Sequence, residues 1–405
     1  MKNFDLAVIG GCASGLAAAI NCKRMYPDKK VAVIEKLPKI GKKILATGNG
    51  KCNLTNIEAL SHNYRNKSFT EPAMNKYPPQ KVIGFFESMG LLCYSDSCGR
   101  VYPESNTASS VLDALRIEIE RLKIDIICDF QVSEIKKHNG FFEINSEIRS
   151  KNIIIATGGK SSPSQGSDGS GYALAKKLGH SVTSLSPALV PLTVAEEITK
   201  SLKGIRARDV VLTLENGKAL KESRGEILFA DFGLSGIAAM ELAADAEMNL
   251  AKEKNDIFVH IDFAPSYKEN QLYDYLKKVK EIKADCSLDY LLNGMLPKQI
   301  GVAICKICGI YKSERKISTL NDAELKSVAS KIKDFSLKVT GTKGFQNSQV
   351  TCGGIPAREI DPLTMQSKIC EGLYFAGEII DVDGACGGFN LQWAWASGML
   401  AAELR

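Results

Sequence analysis

At 405 residues the chain is long enough for one large domain carrying an insertion, or for two to three domains. Hydrophobic residues at 44% and charged residues at 24% are the proportions of a globular protein. The net charge is +6, and no run of about 18 apolar residues occurs, so no membrane-spanning helix is expected.

Residues 4–9 read as a short buried strand that starts almost at the N-terminus. That leaves no room for a signal peptide and predicts a cytoplasmic protein. Gly10, Gly11, Cys12, Ala13, Ser14 and Gly15 form a tight glycine turn, 16–25 an alanine-rich helix and 31–34 a second strand. Glu35 stands at the end of that strand, 20 residues after Gly15. Strand, turn, helix and acid in this layout predict a dinucleotide-binding α/β fold. Backbone N–H groups at the helix start would hold a pyrophosphate, and Glu35 would accept from a ribose hydroxyl. Cys12 stands where that pattern wants glycine, so its side chain must point away or push the ligand outward. The alternative is a nucleotide-free doubly wound fold whose glycines only make the turn.

The segment 36–53 crowds Lys36, Lys39, Lys42, Lys43 and Lys51 together with Thr47, Gly48, Asn49, Gly50, Cys52 and Asn53. An irregular stretch of this length inside a compact domain is usually functional. Its lysines suit phosphates or a charged substrate. Gly48 and Gly50 would let the backbone pass close to a flat ligand.

A helix is predicted over 72–90, with Pro72 just inside its start. A second, over 106–122, places Val111, Leu112, Leu115, Ile119 and Leu122 on one face. A strand follows at 124–128, then a hairpin of 131–136 and 141–145 about Asn139-Gly140. The apolar strand 153–155 returns to the sheet edge and ends at Thr157-Gly158-Gly159. The glycine loop 166–171 opens a helix over 172–178, a second anion-friendly helix start or a plain cap.

The character changes near 187–191. Strands are expected at 192–194, 209–214, 227–229 and 257–261, with an alanine-rich helix over 234–250. From 267 to 338 the pattern is helical and basic. Residues 252–338 hold 16 Lys and Arg against 12 Asp and Glu, an excess of 4 that would attract a polyanion such as RNA, or that simply solvates the surface. Cys305 and Cys308 form a C-x-x-C with no second pair and no nearby His, so no metal site is expected, and the twelve Cys read as free thiols. Residues 189–344 thus read as an inserted domain, β-rich over 189–262 and helical over 263–344. The nucleotide domain comprises 1–188 and 345–405. Its return carries a strand over 372–378 ending in Gly377-Glu378, a glycine loop over 384–390 and a final helix over 391–404.

The chain resembles the HI0933-like flavoproteins, also called BaiN-like NAD(P)/FAD-dependent oxidoreductases. The resemblance rests on Gly48-Asn49-Gly50-Lys51-Cys52-Asn53, on Gly158 to Pro163 running to Gly171-Tyr172, on Pro187 to Leu192, and on Gly225 to Phe229 with Gly233 to Gly236. Val339 to Thr342 also fits. The most specific block runs from Gly377-Glu378 through Asp381 to Gly384 and on to Gly387-Gly388-Phe389-Asn390-Leu391-Gln392-Trp393-Ala394. Besides Cys12, Lys51 departs from the usual Arg, and Ala230, Asp231 and Ile237 from the usual small, hydroxyl and Pro residues.

The resemblance implies a Rossmann-like FAD-binding domain of the two-dinucleotide-binding flavoprotein type. The FAD would touch the turn 10–15, Glu35, Lys36, Lys43 and the loop of Thr47, Gly48, Asn49, Gly50 and Asn53. Val132 would offer its backbone to adenine, and Thr157 and Gly158 would pack beside the adenosine. Gly377 and Glu378 would meet the ribityl chain. Gly388 and the N–H groups of Phe389, Asn390 and Leu391 would stabilise negative charge on the reduced ring. The implied activity is reduction of a conjugated C=C bond with NAD(P)H as transient electron donor. A small-molecule enone, such as a 3-oxo unsaturated bile acid, or uracil in ribosomal RNA would be the substrate. Cys52 is the candidate proton donor, against the reading of a small packed residue, and Lys51 would meet an anionic substrate group or is simply solvated. Asp383 and Cys386 are weaker candidates. Two rival readings are an aminoacetone-type amine oxidase and a non-enzymatic RNA- or ribosome-binding module.

Overall fold

The computed structural model describes residues 1–252 and 256–404, so residues 253–255 of the basic run lie outside the described residues. The chain divides into two compact units, Met1–Ser186 with Gln349–Arg405, and Pro187–Ser348.

The first unit is built on β1 (Lys2–Ile9), α1 (Ala13–Met25) and β2 (Val31–Ile34). β1 and β2 pair in parallel, with Val8 opposite Val33. Every residue of β2 is buried, as a strand covered on both faces requires. β3 (Ile148–Ile155) lies on the other side of β1, with Val8 opposite Ile154. α2 (Ser170–Lys177) follows it. After the second unit the chain returns as β4 (Leu373–Phe375), parallel to the end of β3, and α3 (Phe389–Ala401). The strand Asp125–Ile127 extends the sheet beyond β2. The hairpin Ile135–His138 and Phe141–Ile144 is antiparallel to the start of β3. β3 is therefore interior, not at the sheet edge as expected: its first half carries the hairpin and its second half carries β4.

Other boundaries moved for identifiable reasons. The single helix expected over 72–90 is two, Lys67–Lys76 and Pro79–Glu87. The break falls at Tyr77-Pro78, because a residue before proline is driven out of the helical region. Pro79, not Pro72, sits at a helix start. The hairpin begins at Ile135, since Asn145 Oδ1 accepts from the N–H groups of Ser133 and Glu134 in place of a ladder. Val132 therefore precedes the hairpin. The final helix begins two residues early, with Gly388 as its cap. In the helix 108–121, Val111, Leu112, Leu115 and Ile119 are buried as expected.

In the second unit Leu192–Val194, Gly233–Ser235, Ala219–Ala230, Arg206–Glu215, Ile257–Asp262 and Phe335–Thr342 close into a six-stranded barrel. The helix expected from 234 starts as a barrel strand and breaks into Ile237–Met240 and Ala243–Lys252. The helical run ends at Lys333, because Phe335, Leu337 and Val339 alternate inward and form the closing strand. Helices Glu269–Ile282, Lys298–Ile307 and Asp322–Lys333 join a separate core with the barrel.

Candidate functional site

The glycine turn sits at the C-terminal end of β1, where an open α/β sheet binds its ligand. A Cβ on Gly15 would lie 1.9 Å from the carbonyl oxygen of Gly10, so only glycine lets the first turn of α1 close on the strand. Cys12 has φ −121°, ordinary extended backbone that needs no glycine. Its thiol takes hydrogen bonds from the N–H groups of Ala13 and Ile44, and burial pushes its pKa up. The side chain is thus turned toward the 44 loop. Ala13 and Ser14 are buried in the turn, and Ser14 Oγ donates to the Ala376 carbonyl at 3.4 Å.

Glu35 is buried, and both oxygens accept from backbone: Oε2 from Gly11 N–H at 2.8 Å and Oε1 from Leu37 N–H at 2.9 Å. The carboxylate is fixed at the mouth of a cleft also lined by Gly10, Lys36, Val132, Thr157, Gly166 and Ser170. Lys36 pairs with Asp168 at 2.6 Å, and Lys42 donates to the Ser164 carbonyl at 2.8 Å, which ties the loop 158–169 across this cleft. Thr157 Oγ1, Ser167 Oγ and the Tyr172 hydroxyl are buried without a partner. Sequence reasoning missed Ser167 and Tyr172. The glycine-loop helix start was their only signal.

The segment 44–50 is a kinked 3-10 helix in which Gly48, Asn49 and Gly50 all have positive φ. Gly48, Asn49, Gly50 and Lys51 are exposed, while Cys52 and Asn53 are buried. Cys52 also has positive φ, and burial pushes its thiol up to about 12 against a hydrogen bond with the Thr47 side chain. Lys43 forms an ion pair with Glu378 at 2.9 Å, and the other Glu378 oxygen accepts from Thr351 N–H. Gly377 lies against Ser14.

The loop end 53–55 meets the start of α3. Trp395 Nε1 donates to the Leu54 carbonyl at 2.9 Å, and Thr55 Oγ1 donates to Gln392 Oε1 at 2.7 Å. Gly388, at φ +102°, packs so closely that a Cβ there would stand 2.4 Å from Thr55 O and 2.9 Å from Asn53 Oδ1. Phe389 is buried and its carbonyl accepts from the Tyr64 hydroxyl. The Asn390 side chain is spent on its own loop, bonding Gly384 and Ala385, so its backbone N–H is what it offers at the helix start. Leu391 is half-buried beside it. Asp383 is paired with Arg65 at 2.9 Å.

A flat dinucleotide cofactor fits this arrangement. The glycine turn and the start of α3 give two helix N-termini, Glu35 and Thr157 line the cleft beside the first, and Thr157 Oγ1 is buried without a partner. No helix among the described residues is long and apolar enough to cross a membrane.

Known proteins place the chain further. The HI0933-like protein Rossmann domain matches residues 4–404. A 3-dehydro-bile acid delta(4,6)-reductase of Clostridium scindens is 35% identical over 403 residues, covering 98% of each chain. A ribosomal RNA dihydrouridine synthase of Escherichia coli is 27% identical over 410 residues, covering 100% of this chain and 98% of that one. Among solved structures, a 3-ketosteroid delta1-dehydrogenase of Sterolibacterium denitrificans shares the fold, with a TM-score of 0.52, 13% identity and coverage of 100% and 99%. With a turn, a fixed acid and a helix start suited to a flavin dinucleotide, and with a family match along nearly its whole length, the chain belongs to the HI0933-like family of flavin oxidoreductases.

Proposed function

We propose that the chain binds FAD and reduces a conjugated C=C bond with electrons from NAD(P)H. The observation that carries this reading is the convergence of the loop end 53–55, next to Cys52, on the N-terminus of α3 from the far end of the chain. Both curated relatives carry names for saturation of a ring double bond, in a bile acid or in ribosomal RNA uracil.

When bound, the flavin supplies hydride. The protein's groups do the rest. The N–H groups of the 10–15 turn hold the pyrophosphate, and Glu35, with Val132, Thr157 and Gly158 beside it, fixes the adenosine end. Lys43 and Glu378 orient the middle of the cofactor. The N–H groups of Phe389, Asn390 and Leu391 would stabilise negative charge on the reduced ring. Cys52, protonated through the neutral range, gives the proton to the carbon beside the one that takes hydride. Exposed Lys51 meets an anionic group of the substrate.

The test is anaerobic. Purified protein mixed with NADPH or NADH should lose its visible flavin absorbance. Adding a 3-oxo-Δ4 bile acid, or ribosomal RNA lacking dihydrouridine, should restore it as the double bond is saturated. If neither pyridine nucleotide bleaches the flavin, the reductase reading falls. Peroxide release with an amine would favour an oxidase.

A further inference from the structure

We propose that the Asn53 carboxamide accepts the imide N–H of the flavin ring, at N3, and with the start of α3 forms the seat for the ring's pyrimidine edge. This rests on the flavin reading above. Two independent observations point to it. The first is the helix start: the first backbone bond within α3 runs from Gln392 N–H to the Gly388 carbonyl. The N–H groups of Phe389, Asn390 and Leu391 thus have no acceptor within the helix. The second is Asn53 itself. The residue is 8% exposed, and its Oδ1 has no hydrogen-bond partner. That oxygen lies 2.9 Å from where a Cβ on Gly388 would be, so it is aimed at the helix cap.

A buried amide oxygen without a donor is costly and rare in a native chain. Here it stands beside a row of free donors. The pyrimidine edge of a flavin presents carbonyl, N–H and carbonyl in sequence, and a carboxamide oxygen flanked by N–H groups is the complement of that pattern. An Asp in the same place would oppose the negative charge that reduction places on this edge. The neutral amide does not.

Asn53 is also well held. Its own N lies 2.7 Å from a Cβ position on Gly48, and the next two residues are bonded to Trp395 and Gln392. It acts as a positioning residue for the ring, separate from any proton transfer by Cys52.

The experiment compares FAD with N3-methyl-FAD on the full-length wild-type protein, stripped and reconstituted, with binding read by flavin fluorescence. The wild type should bind the methylated flavin about tenfold or more weakly, since the methyl group removes the hydrogen bond and crowds the carboxamide. In Asn53→Ala, FAD itself should bind more weakly and the two flavins should differ by less than about threefold. Asn53→Asp should lower the midpoint potential of the bound flavin. Equal binding of both flavins by the wild type would overturn the inference and leave the flavin reading standing. Binding of neither would overturn both.

Discussion

Gly388→Ala tests whether the two ends of the chain meet as tightly as the site requires. Gly388 has φ +102°, and an alanine forced into left-handed backbone costs about 1–2 kcal/mol. The new methyl would stand 2.4 Å from Thr55 O and 2.5 Å from Thr55 C, both backbone atoms with no rotamer to change. Relief requires the 53–55 segment to recoil from α3. That segment is tied down by Trp395 Nε1 to Leu54 O, Thr55 Oγ1 to Gln392 Oε1 and Asn56 Nδ2 to Gly387 O. Leaving one such buried group unsatisfied costs about 1–3 kcal/mol, so the total is about 2–5 kcal/mol. Gly50→Ala is the internal control. It has φ +83° with nothing within 4 Å of the added methyl, so only the conformational cost of about 1–2 kcal/mol applies. Urea denaturation gives both values, and flavin content is measured on the same samples. Equal destabilisation by the two substitutions, with full flavin retained in Gly388→Ala, would refute the close contact.

His180 is buried, with Nδ1 3.0 Å from Glu359 Oε2 and Nε2 2.7 Å from Ser367 Oγ, and burial holds its pKa below the ordinary 6.5. The unfolded chain then takes up the proton first, so stability is full above about pH 6.5 and falls as pH drops through the lowered folded value. His180→Gln should flatten that limb in pH-dependent melts. The Glu359 carboxyl, held low by Ser181 and His180, loses stability in the same direction further into acid, and that part should remain. Cys52, pushed up to about 12, should resist alkylation at pH 8 while the exposed Cys98 and Cys286 react. Mass mapping after a brief iodoacetamide pulse reads this, and rapid labelling of Cys52 would contradict its burial. Cys12→Gly should leave flavin affinity within about threefold, because the thiol already faces Ala13 and Ile44. A gain of more than tenfold on titration with FAD would show the thiol crowding the phosphate.

The central sheet was legible because its signals are local. The fully apolar runs at 31–34 and 153–155 can only be covered strands, and Glu35 ends the first of them. The place of β3 was not legible. Two partners, the hairpin and β4, share its length, and β4 comes from beyond residue 370. The barrel strand Phe335–Thr342 alternates clearly but follows the helical pattern that begins at 267, and its partners at 192–194 and 257–262 are far away in sequence. In the site, Glu35 and the glycine turn could be named from spacing alone. The partnerless hydroxyls of Thr157, Ser167 and Tyr172 could not, since burial without a partner is a property of the folded chain and not of local sequence. Asn390 shows the opposite case. Its side chain, prominent in the motif, closes its own loop on Gly384 and Ala385, which leaves only its backbone N–H at the helix start.

The C-terminal segment brings α3 to the candidate site, and it also packs against the helix that opens the domain. A Cβ on Gly398 would stand 2.3 Å from Ser14 O, so α3 lies in direct backbone contact with α1. Asn21 Nδ2 donates to the Met399 carbonyl, and Gly377 N–H to Ser397 Oγ. The glycine turn at the start of α1 is therefore braced by a helix that arrives some 375 residues later. The second unit has its own core of barrel and helices and needs none of these contacts to close. Interactions that span such a distance are made late in folding, because the loop they close must form first. Flavin binding should accordingly be among the last properties to appear on refolding. Barrel secondary structure should be regained before flavin fluorescence is quenched, and simultaneous recovery of the two signals would argue that the units do not fold separately.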